Sequence, residues 1–240
     1  MTTKANLVKF NSAEEKAHFV RNMFDRISPK YDLMNRIMTF GQDVRWRRLA
    51  IDLAALPENG ALLDIACGTG DLAIEAMRCK PTLVVAADFS LNMIRLGRQK
   101  ANPHKAIRFI AADGLQMPFR DDVFDAVVTG FSMRNVVDVD RFIREMARVV
   151  RPGGKVVILE ITPLKSSLMK RGFHLYFQKI VPFLGGIIAG DREAYTYLPQ
   201  SVEVFIPADE LKQRMEAARL RNVQYKKLNL GTVALHWGEV

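Results

Sequence analysis

Leu62-Leu63-Asp64-Ile65-Ala66-Cys67-Gly68-Thr69-Gly70-Asp71-Leu72 is the stretch whose reading decides the fold. An apolar run, two glycines one residue apart and a following helical pattern read as strand, tight loop and helix. Gly68 and Gly70 allow positive φ and close approach of the backbone to a ligand. The helix behind them offers free N–H groups and the positive end of its dipole. A second apolar strand, Leu83-Val84-Val85-Ala86-Ala87, ends in Asp88, where a carboxylate can take the hydroxyls of a bound ribose. Together these features imply an adenosine-type cofactor at the first two strands of a parallel sheet. Gly68-Thr69-Gly70-Asp71-Leu72-Ala73 also matches the dinucleotide fingerprint G-x-G-x-x-A, so a nicotinamide-dependent dehydrogenase stays open at this point.

Downstream of the loop, strand and helix patterns alternate. Strands are expected near 61–66, 83–88, 107–112, 124–129 and 155–161, with helices near 71–79, 91–101 and 139–150. Ser90 and Asp138 stand where N-caps belong. Arg151-Pro152-Gly153-Gly154 reads as a turn into the fifth strand. Alternation with short loops is the pattern of an open, doubly wound α/β sheet. Upstream, Ser12-x-x-Glu15 opens a helix whose Val20, Met23, Phe24 and Ile27 share one face, and Pro29 ends it. A short helix from Tyr31 to Phe40 stops at Gly41, and Asp43 is expected to cap a third helix running to Leu56. These three helices are placed to cover the cofactor. The strand rhythm stops between about 162 and 206, then a helix near 207–218 leads to strands near 222–228 and 232–237. The expected organisation is one domain over 1–240: an N-terminal helical cover (1–56), a cofactor-binding core (57–161), a cap insertion (162–206) and a closing helix with a hairpin (207–240).

The chain has 240 residues, 49% hydrophobic, enough for one domain with a sizeable core. No apolar h-region opens it, and Ile180–Ala189 is too short to span a bilayer and is broken by Pro and Gly. Cys67 and Cys79 have no metal spacing and read as reduced thiols of a cytoplasmic protein, with no metal expected. The net charge is +9, with basic groups at Arg45/Arg47/Arg48, Arg95/Arg98/Lys100, Lys165/Lys170/Arg171 and Arg219/Arg221/Lys226/Lys227. None is interleaved with several aromatics, so attraction to an anionic membrane is a better reading than nucleic-acid binding.

Asp64-Ile65-Ala66-Cys67-Gly68-Thr69-Gly70, Asp88, Ala112-Asp113-Gly114, Met117-Pro118-Phe119 and Arg151-Pro152-Gly153-Gly154 resemble the successive motifs of class I S-adenosylmethionine methyltransferases. The narrower blocks Lys30-Tyr31-Asp32-Leu33-Met34-Asn35, Thr39-Phe40-Gly41, Trp46-Arg47-Arg48, Arg134-Asn135-Val136, Asp191 with Tyr195-x-Tyr197-Leu198, and Val233-Ala234-Leu235-His236 are similar to the family that methylates ring carbons in ubiquinone and menaquinone biosynthesis. The resemblance runs from about residue 18 to 238. It departs at Gly130, where the family usually has serine, at Ala218-Arg219-Leu220 in place of Ala-Gly-Phe, and at His236-Trp237-Gly238 in place of His-Arg-Gly.

The resemblance implies a Rossmann-like seven-stranded sheet with an antiparallel last strand, S-adenosyl-L-methionine as cofactor and a prenylated hydroquinone as acceptor. The alternative is a phospholipid or other small-molecule methyltransferase. Peripheral association with the inner face of a membrane and a homodimer are both compatible with it. Asp88 is expected on the ribose, Asp113 and Gly114 on the adenine, and Asp64 bracing the glycine loop. Tyr31 and Asn35 are expected over the methionine end, with Gly68, Thr69, Gly70, Phe89, Met93, Ala112 and Gly130 completing the cofactor site. Arg134 is the candidate for stabilising charge on a ring oxygen, and His174, Asp191 and Tyr195 are candidate acceptor-site groups. Cys67, inside the glycine loop, is not expected to act as a nucleophile.

Overall fold

The computed structural model describes residues 10–164 and 175–240. Strands β1 (Ala61–Ile65), β2 (Leu83–Asp88), β3 (Ile107–Ala111), β4 (Phe124–Gly130), β5 (Val150–Ile161), β6 (Arg221–Leu228) and β7 (Val233–Glu239) form one sheet in the order β3-β2-β1-β4-β5-β7-β6. β1 lies between β2 and β4 and is parallel to both, while β7 runs antiparallel to β5 and β6. The chain reverses its direction of strand addition at β1, so the crevice for a ligand opens at the carboxyl ends of β1 and β4. This is the open α/β sheet that the alternating pattern implies, with the seven strands and antiparallel last strand that the resemblance implies.

Both faces of the sheet are covered because its central strands are apolar on both sides. One face packs on helices α3 (Gln42–Ala54), α4 (Asp71–Ala76) and α5 (Leu91–Lys100), through Trp46, Ile51, Leu72 and Ile94. The other packs on α6 (Val139–Arg148) and α9 (Ala208–Ala217), through Phe142, Ile143, Met146, Leu211 and Met215. Ser90 and Asp138 cap α5 and α6 as expected, accepting from the amides of Met93 and Arg141.

A third apolar cluster lies outside the two faces. It joins α1 (Ala13–Ile27) and α2 (Tyr31–Met38) to α7, a helix built from Tyr176–Ile180, Val181–Leu184 and Gly185–Ala189, and to α8 (Arg192–Glu203). Val20, Met23, Ile27, Met34, Val181, Ala194, Tyr195 and Tyr197 are its buried members.

Two local expectations are corrected. Asp43 does not cap α3, whose N-cap is Gly41 at φ 73°. The Asp43 carboxylate is instead fully buried against Arg36 and Arg47, where two cations outweigh one helix terminus. Arg151-Pro152-Gly153-Gly154 does not precede the fifth strand but bulges within it: Phe124 faces Val150 and Ala126 faces Lys155, so the intervening residues loop out. Gly153 makes that excursion possible with φ +83°. Lys165, Lys170, Arg171 and the candidate His174 lie outside the described residues.

Candidate active site

The glycine loop is strained by design. Ala66, Gly68 and Gly70 all have positive φ, which turns the chain from β1 into α4 within five residues. Asp88 stands at the end of β2 and accepts the Gly68 amide at 2.8 Å and the Ser90 amide at 2.8 Å, which fixes the loop against the neighbouring strand. Asp64 accepts the Ala73 amide at 3.0 Å through one oxygen. Its other oxygen is buried and has no hydrogen-bond partner among the described residues. Burial raises the Asp64 carboxyl to about 8, and burial raises Asp88 to about 6 against the pull of its backbone donors. Burial, with the nearby Asp64 and Asp88 carboxylates, also pushes the Cys67 thiol well up, so it is held neutral and is a poor nucleophile.

Above this loop is a cavity with about 960 Å³ of empty space, part of it open to solvent. That is the size range of a cofactor site. Tyr31, Gly68, Asp88, Phe89, Met93, Ala112, Asp113, Gly114 and Gly130, all expected at the cofactor, line it. Gly114 is required there because a Cβ would come within 2.1 Å of the Phe142 ring. Four expected residues sit elsewhere. Asp64 and Thr69 line a smaller adjoining space with Arg47 and Tyr31. Gly70 backs the loop instead of lining it, because its Cα packs on the Phe109 ring with no room for a Cβ. Asn35 belongs to a second cavity.

The second cavity, about 700 Å³ including its open part, lies between α1, α2, α8 and the segment after β4. Phe24, Tyr31, Phe131 and Asn135 line both cavities and form the wall between them. Phe131 holds a positive φ of 59°, a costly conformation for an aromatic residue, fixed by its amide bond to Leu159 O at 2.7 Å. Its ring meets Trp46 edge-on, and the Arg47 guanidinium lies 5.6 Å from its centroid.

The walls of the second cavity are mostly apolar, including Met23, Ile27, Met38, Phe177 and Leu198. Against that background four buried polar atoms have no hydrogen-bond partner among the described residues: Asn35 Nδ2, Arg134 Nε, Asn135 Oδ1 and Tyr195 Oη. Native interiors hold few such atoms, because each costs about 1–3 kcal/mol. Arg134 is itself pinned: its Nη1 donates to Glu160 Oε1 at 2.7 Å and to Phe131 O at 2.7 Å, with Glu160 fully buried. Burial raises the Tyr195 hydroxyl well above the ordinary phenol range, so it stays a donor.

Asp191 is placed differently from its expectation. Its carboxylate caps α8 by accepting the Ala194 amide at 3.0 Å and pairs with Arg26 at 2.7 Å, outside the walls of both cavities. An Asp in front of a helix finds the free amides first. Ser132, the hydroxyl nearest the Gly130 departure, lines the first cavity but shares a 2.6 Å hydrogen bond with Thr129.

Several contributors carry no sequence expectation. Arg21 of α1 covers Phe89 at 5.3 Å, and Lys16 ties α1 down by donating to Val136 O at 2.9 Å. Lys100 reaches across to Asp32 at 2.6 Å and to Asp71, while Arg36 bonds Asp71 at 3.1 Å. These ion pairs clamp α2 onto the first turn of α4, directly over the glycine loop. Arg47 and Asn135 stand inside the quoted blocks Trp46-Arg47-Arg48 and Arg134-Asn135-Val136, so the signal was present without a role attached.

The glycine loop, the acid at the end of β2 and a second, apolar room behind a shared wall make up the candidate site. The ubiE/COQ5 methyltransferase family model matches residues 9–239. The chain belongs to the ubiE/COQ5 methyltransferase family. It is 45% identical over 226 residues to a demethylmenaquinone methyltransferase of Roseiflexus sp. (strain RS-1), covering 94% of each chain. It is 44% identical to the demethylmenaquinone methyltransferase of Thermus thermophilus, covering 90% of this chain and 99% of that one. With the ubiquinone/menaquinone biosynthesis C-methyltransferase UbiE of Geotalea daltonii the identity is 40%, over 94% of this chain and 97% of the relative. Solved structures share the fold at low identity. The [4+2]-cyclase SpnF superposes with a TM-score of 0.67 at 20% identity, over 90% of this chain and 77% of that chain. A possible histamine N-methyltransferase of Thermotoga maritima gives 0.64 at 17%, over 91% of this chain and 98% of that one. Membership in the ubiE/COQ5 family closes the dehydrogenase reading of the glycine fingerprint.

Proposed function

We propose that this methyltransferase moves a methyl group from S-adenosylmethionine to a ring carbon of a prenylated hydroquinone, reached by peripheral contact with the membrane that holds it. The observation that carries the reading is the second cavity: an apolar room with four unpaired polar atoms, sharing a wall with the cofactor cavity. When bound, the cofactor supplies a methyl carbon made electrophilic by the neighbouring sulfonium. In this reading Asp88 takes the ribose hydroxyls, and Asp113 and Gly114 border the adenine. The free oxygen of Asp64 and the guanidinium of Arg47 suit the ammonium and carboxylate of the amino-acid end.

A ring carbon becomes nucleophilic as the adjacent phenol, with an ordinary pKa of about 10, gives up its proton to water in the open part of the cavity. The carbon takes the methyl, releasing S-adenosylhomocysteine, then loses its own proton to water as the ring becomes aromatic again. Arg134 Nε–H, Asn35 Nδ2–H and Tyr195 O–H are donors for the oxygen that gains charge, preorganised among mostly apolar walls. Asn135 Oδ1 accepts from the hydroxyl that stays protonated. The shared wall of Phe24, Tyr31 and Phe131 holds the ring on the axis of displacement, where alignment within about 3–3.5 Å governs the rate. A phosphate headgroup suits the cavity poorly: among its described lining residues Arg134 is the one cation, already paired with Glu160.

The test is transfer of a labelled methyl from S-adenosylmethionine to reduced demethylmenaquinol and to the matching benzoquinol, with mass spectrometry locating the product methyl. A ring-carbon product on either acceptor is expected. Methylation of neither, with S-adenosylhomocysteine still bound, would leave the cofactor half standing and remove the acceptor half.

A further inference from the structure

Helix α7 is apolar on two opposite sides. Val181 and Gly185 face inward, with Gly185 against the Tyr195 ring, and belong to the third core. Leu175, Ile180, Phe183 and Ile187 recur at helical spacing on the outside, where Phe183 is 64% and Ile187 68% exposed. A row of large apolar side chains exposed along one helix face marks a surface that meets an apolar partner. From the end of α2, Phe40 joins this face at 81% exposure, its ring 6.0 Å from that of Tyr176. Tyr176 in turn lies 5.5 Å from Phe177, which lines the second cavity. A line of three rings therefore runs from the acceptor cavity to the surface.

The charge around this face has one dominant sign. Lys179 is exposed on α7 itself, Arg192 is exposed with its Cβ 3.7 Å from the position a Gly186 Cβ would take, and Lys30 is exposed on the turn that packs against 185–189. Of the acids nearby, Glu193 and Asp191 pair with Arg26, while Glu203 accepts from Gln178 and keeps its charge, so the three cations outnumber it. An apolar ridge fringed by lysine and arginine is the pattern of a surface that lies in the headgroup region of an anionic bilayer.

We infer that Phe40 and the outer face of α7 form a membrane-docking surface for anionic lipid, which places the acceptor cavity at the bilayer so that a prenyl tail stays in lipid. This inference rests on the proposed acceptor for its purpose but not for its test. The ridge inserts shallowly and the three cations sit among lipid phosphates.

The experiment uses the full chain and flotation with vesicles of phosphatidylcholine alone or mixed equally with phosphatidylglycerol. The protein floats with the mixed vesicles and much less with the neutral ones. The double substitution Phe183→Glu, Ile187→Glu lowers vesicle partitioning about 100-fold, about tenfold for each side chain withdrawn. Lys179→Glu with Arg192→Glu removes the preference for the anionic vesicles. Both variants keep the wild-type melting temperature and S-adenosylhomocysteine affinity. They also methylate a short-tailed soluble quinol at the wild-type rate while losing activity on long-tailed quinol embedded in vesicles. Wild-type flotation by a folded Phe183→Glu, Ile187→Glu variant overturns the inference, as does conversion of a dimer to a monomer by that variant with vesicle binding intact. Failure of the wild type on the short-tailed quinol strikes the acceptor reading alone, since flotation reads the docking surface independently.

Discussion

The two cavities hold similar polar groups in opposite states of hydrogen bonding. In the cofactor cavity Asp88 already accepts two backbone amides, Asp113 accepts the Leu115 amide at 2.8 Å and Ser132 is bonded to Thr129. In the proposed acceptor cavity Asn35, Arg134 and Tyr195 each have a buried atom with no partner among the described residues, as does Asn135 on the shared wall. The first room is a scaffold whose shape is set before anything binds. The second stores unmet hydrogen bonds that a ligand can satisfy, which is the arrangement expected where charge develops during reaction. Substitutions in the two rooms should therefore separate cleanly into losses of binding and losses of turnover.

The largest effect falls on Arg134. Arg134→Ala lowers kcat/KM for the quinol about 10³-fold while changing S-adenosylhomocysteine affinity less than about threefold. It also leaves Glu160 buried without its cation, a cost of about 3–5 kcal/mol, so the fold must be followed in parallel. Arg134→Lys keeps the charge beside Glu160, loses the planar fork to Phe131 O, and still slows turnover about 10²-fold. Steady-state kinetics with calorimetry of the cofactor analogue distinguish the cases. Equal losses of affinity and rate would mean that Arg134 merely holds the loop.

Asp88→Ala is the mirror experiment. With Asp88 on the ribose as proposed, loss of its carboxylate weakens S-adenosylhomocysteine binding about 100-fold, with kcat at saturation within about threefold of wild type. A collapse of kcat at saturating cofactor would break the division between scaffold and reaction room.

The division also decides how much could be read in the sequence. The cofactor room is made at the ends of consecutive strands, so each wall residue follows an apolar run and shows its place locally: Asp88 ends β2, and Ala112-Asp113-Gly114 follows β3. What stayed hidden there was packing behind the loop, since Gly70 looks like a ligand glycine but answers to the ring of Phe109. The acceptor room draws Asn35, Arg134 and Tyr195 from three distant segments, and no periodicity states that they meet. An amphipathic pattern in α1 says that Val20, Met23 and Ile27 are buried, not that α7 and α8 bury them. The resemblance places both Tyr31 and Asn35 at the cofactor; Tyr31 lines both cavities, whereas Asn35 lines the second alone. Asp191 shows the reverse error, a polar residue inside a matching block whose Asp-Arg-Glu-Ala context already spelled a helix cap.

Tyr195→Phe tests the stored hydrogen bonds directly, with effects of opposite sign. Removing a buried hydroxyl that lacks a partner in the free protein raises stability by about 1 kcal/mol. The same change removes a donor to the reacting ring and lowers kcat about tenfold. Thermal melts and quinol turnover measure both. A destabilised variant would mean that the hydroxyl has a structural partner, and the contrast between the rooms would weaken.

The smallest effect is a proton. Asp64 titrates at about 8 in the folded protein against an ordinary 3.8, because burial penalises its charged form. Between those values the folded chain holds a proton that the unfolded chain has released. The stability Asp64 contributes is therefore complete below about pH 4 and is lost as the pH rises through 8. If the ammonium of the cofactor sits against the free oxygen of Asp64, binding favours the ionised carboxylate and expels that proton. Calorimetric titration of S-adenosylhomocysteine near pH 7, in buffers of different ionisation enthalpy, then reports release of up to about one proton, which falls off above pH 8 and vanishes in Asp64→Asn. Unchanged release in that variant would take the proton, and the charge of the amino-acid end, away from Asp64; Asp88, held at about 6, is already mostly ionised near pH 7 and would account only for a release of about a tenth of a proton.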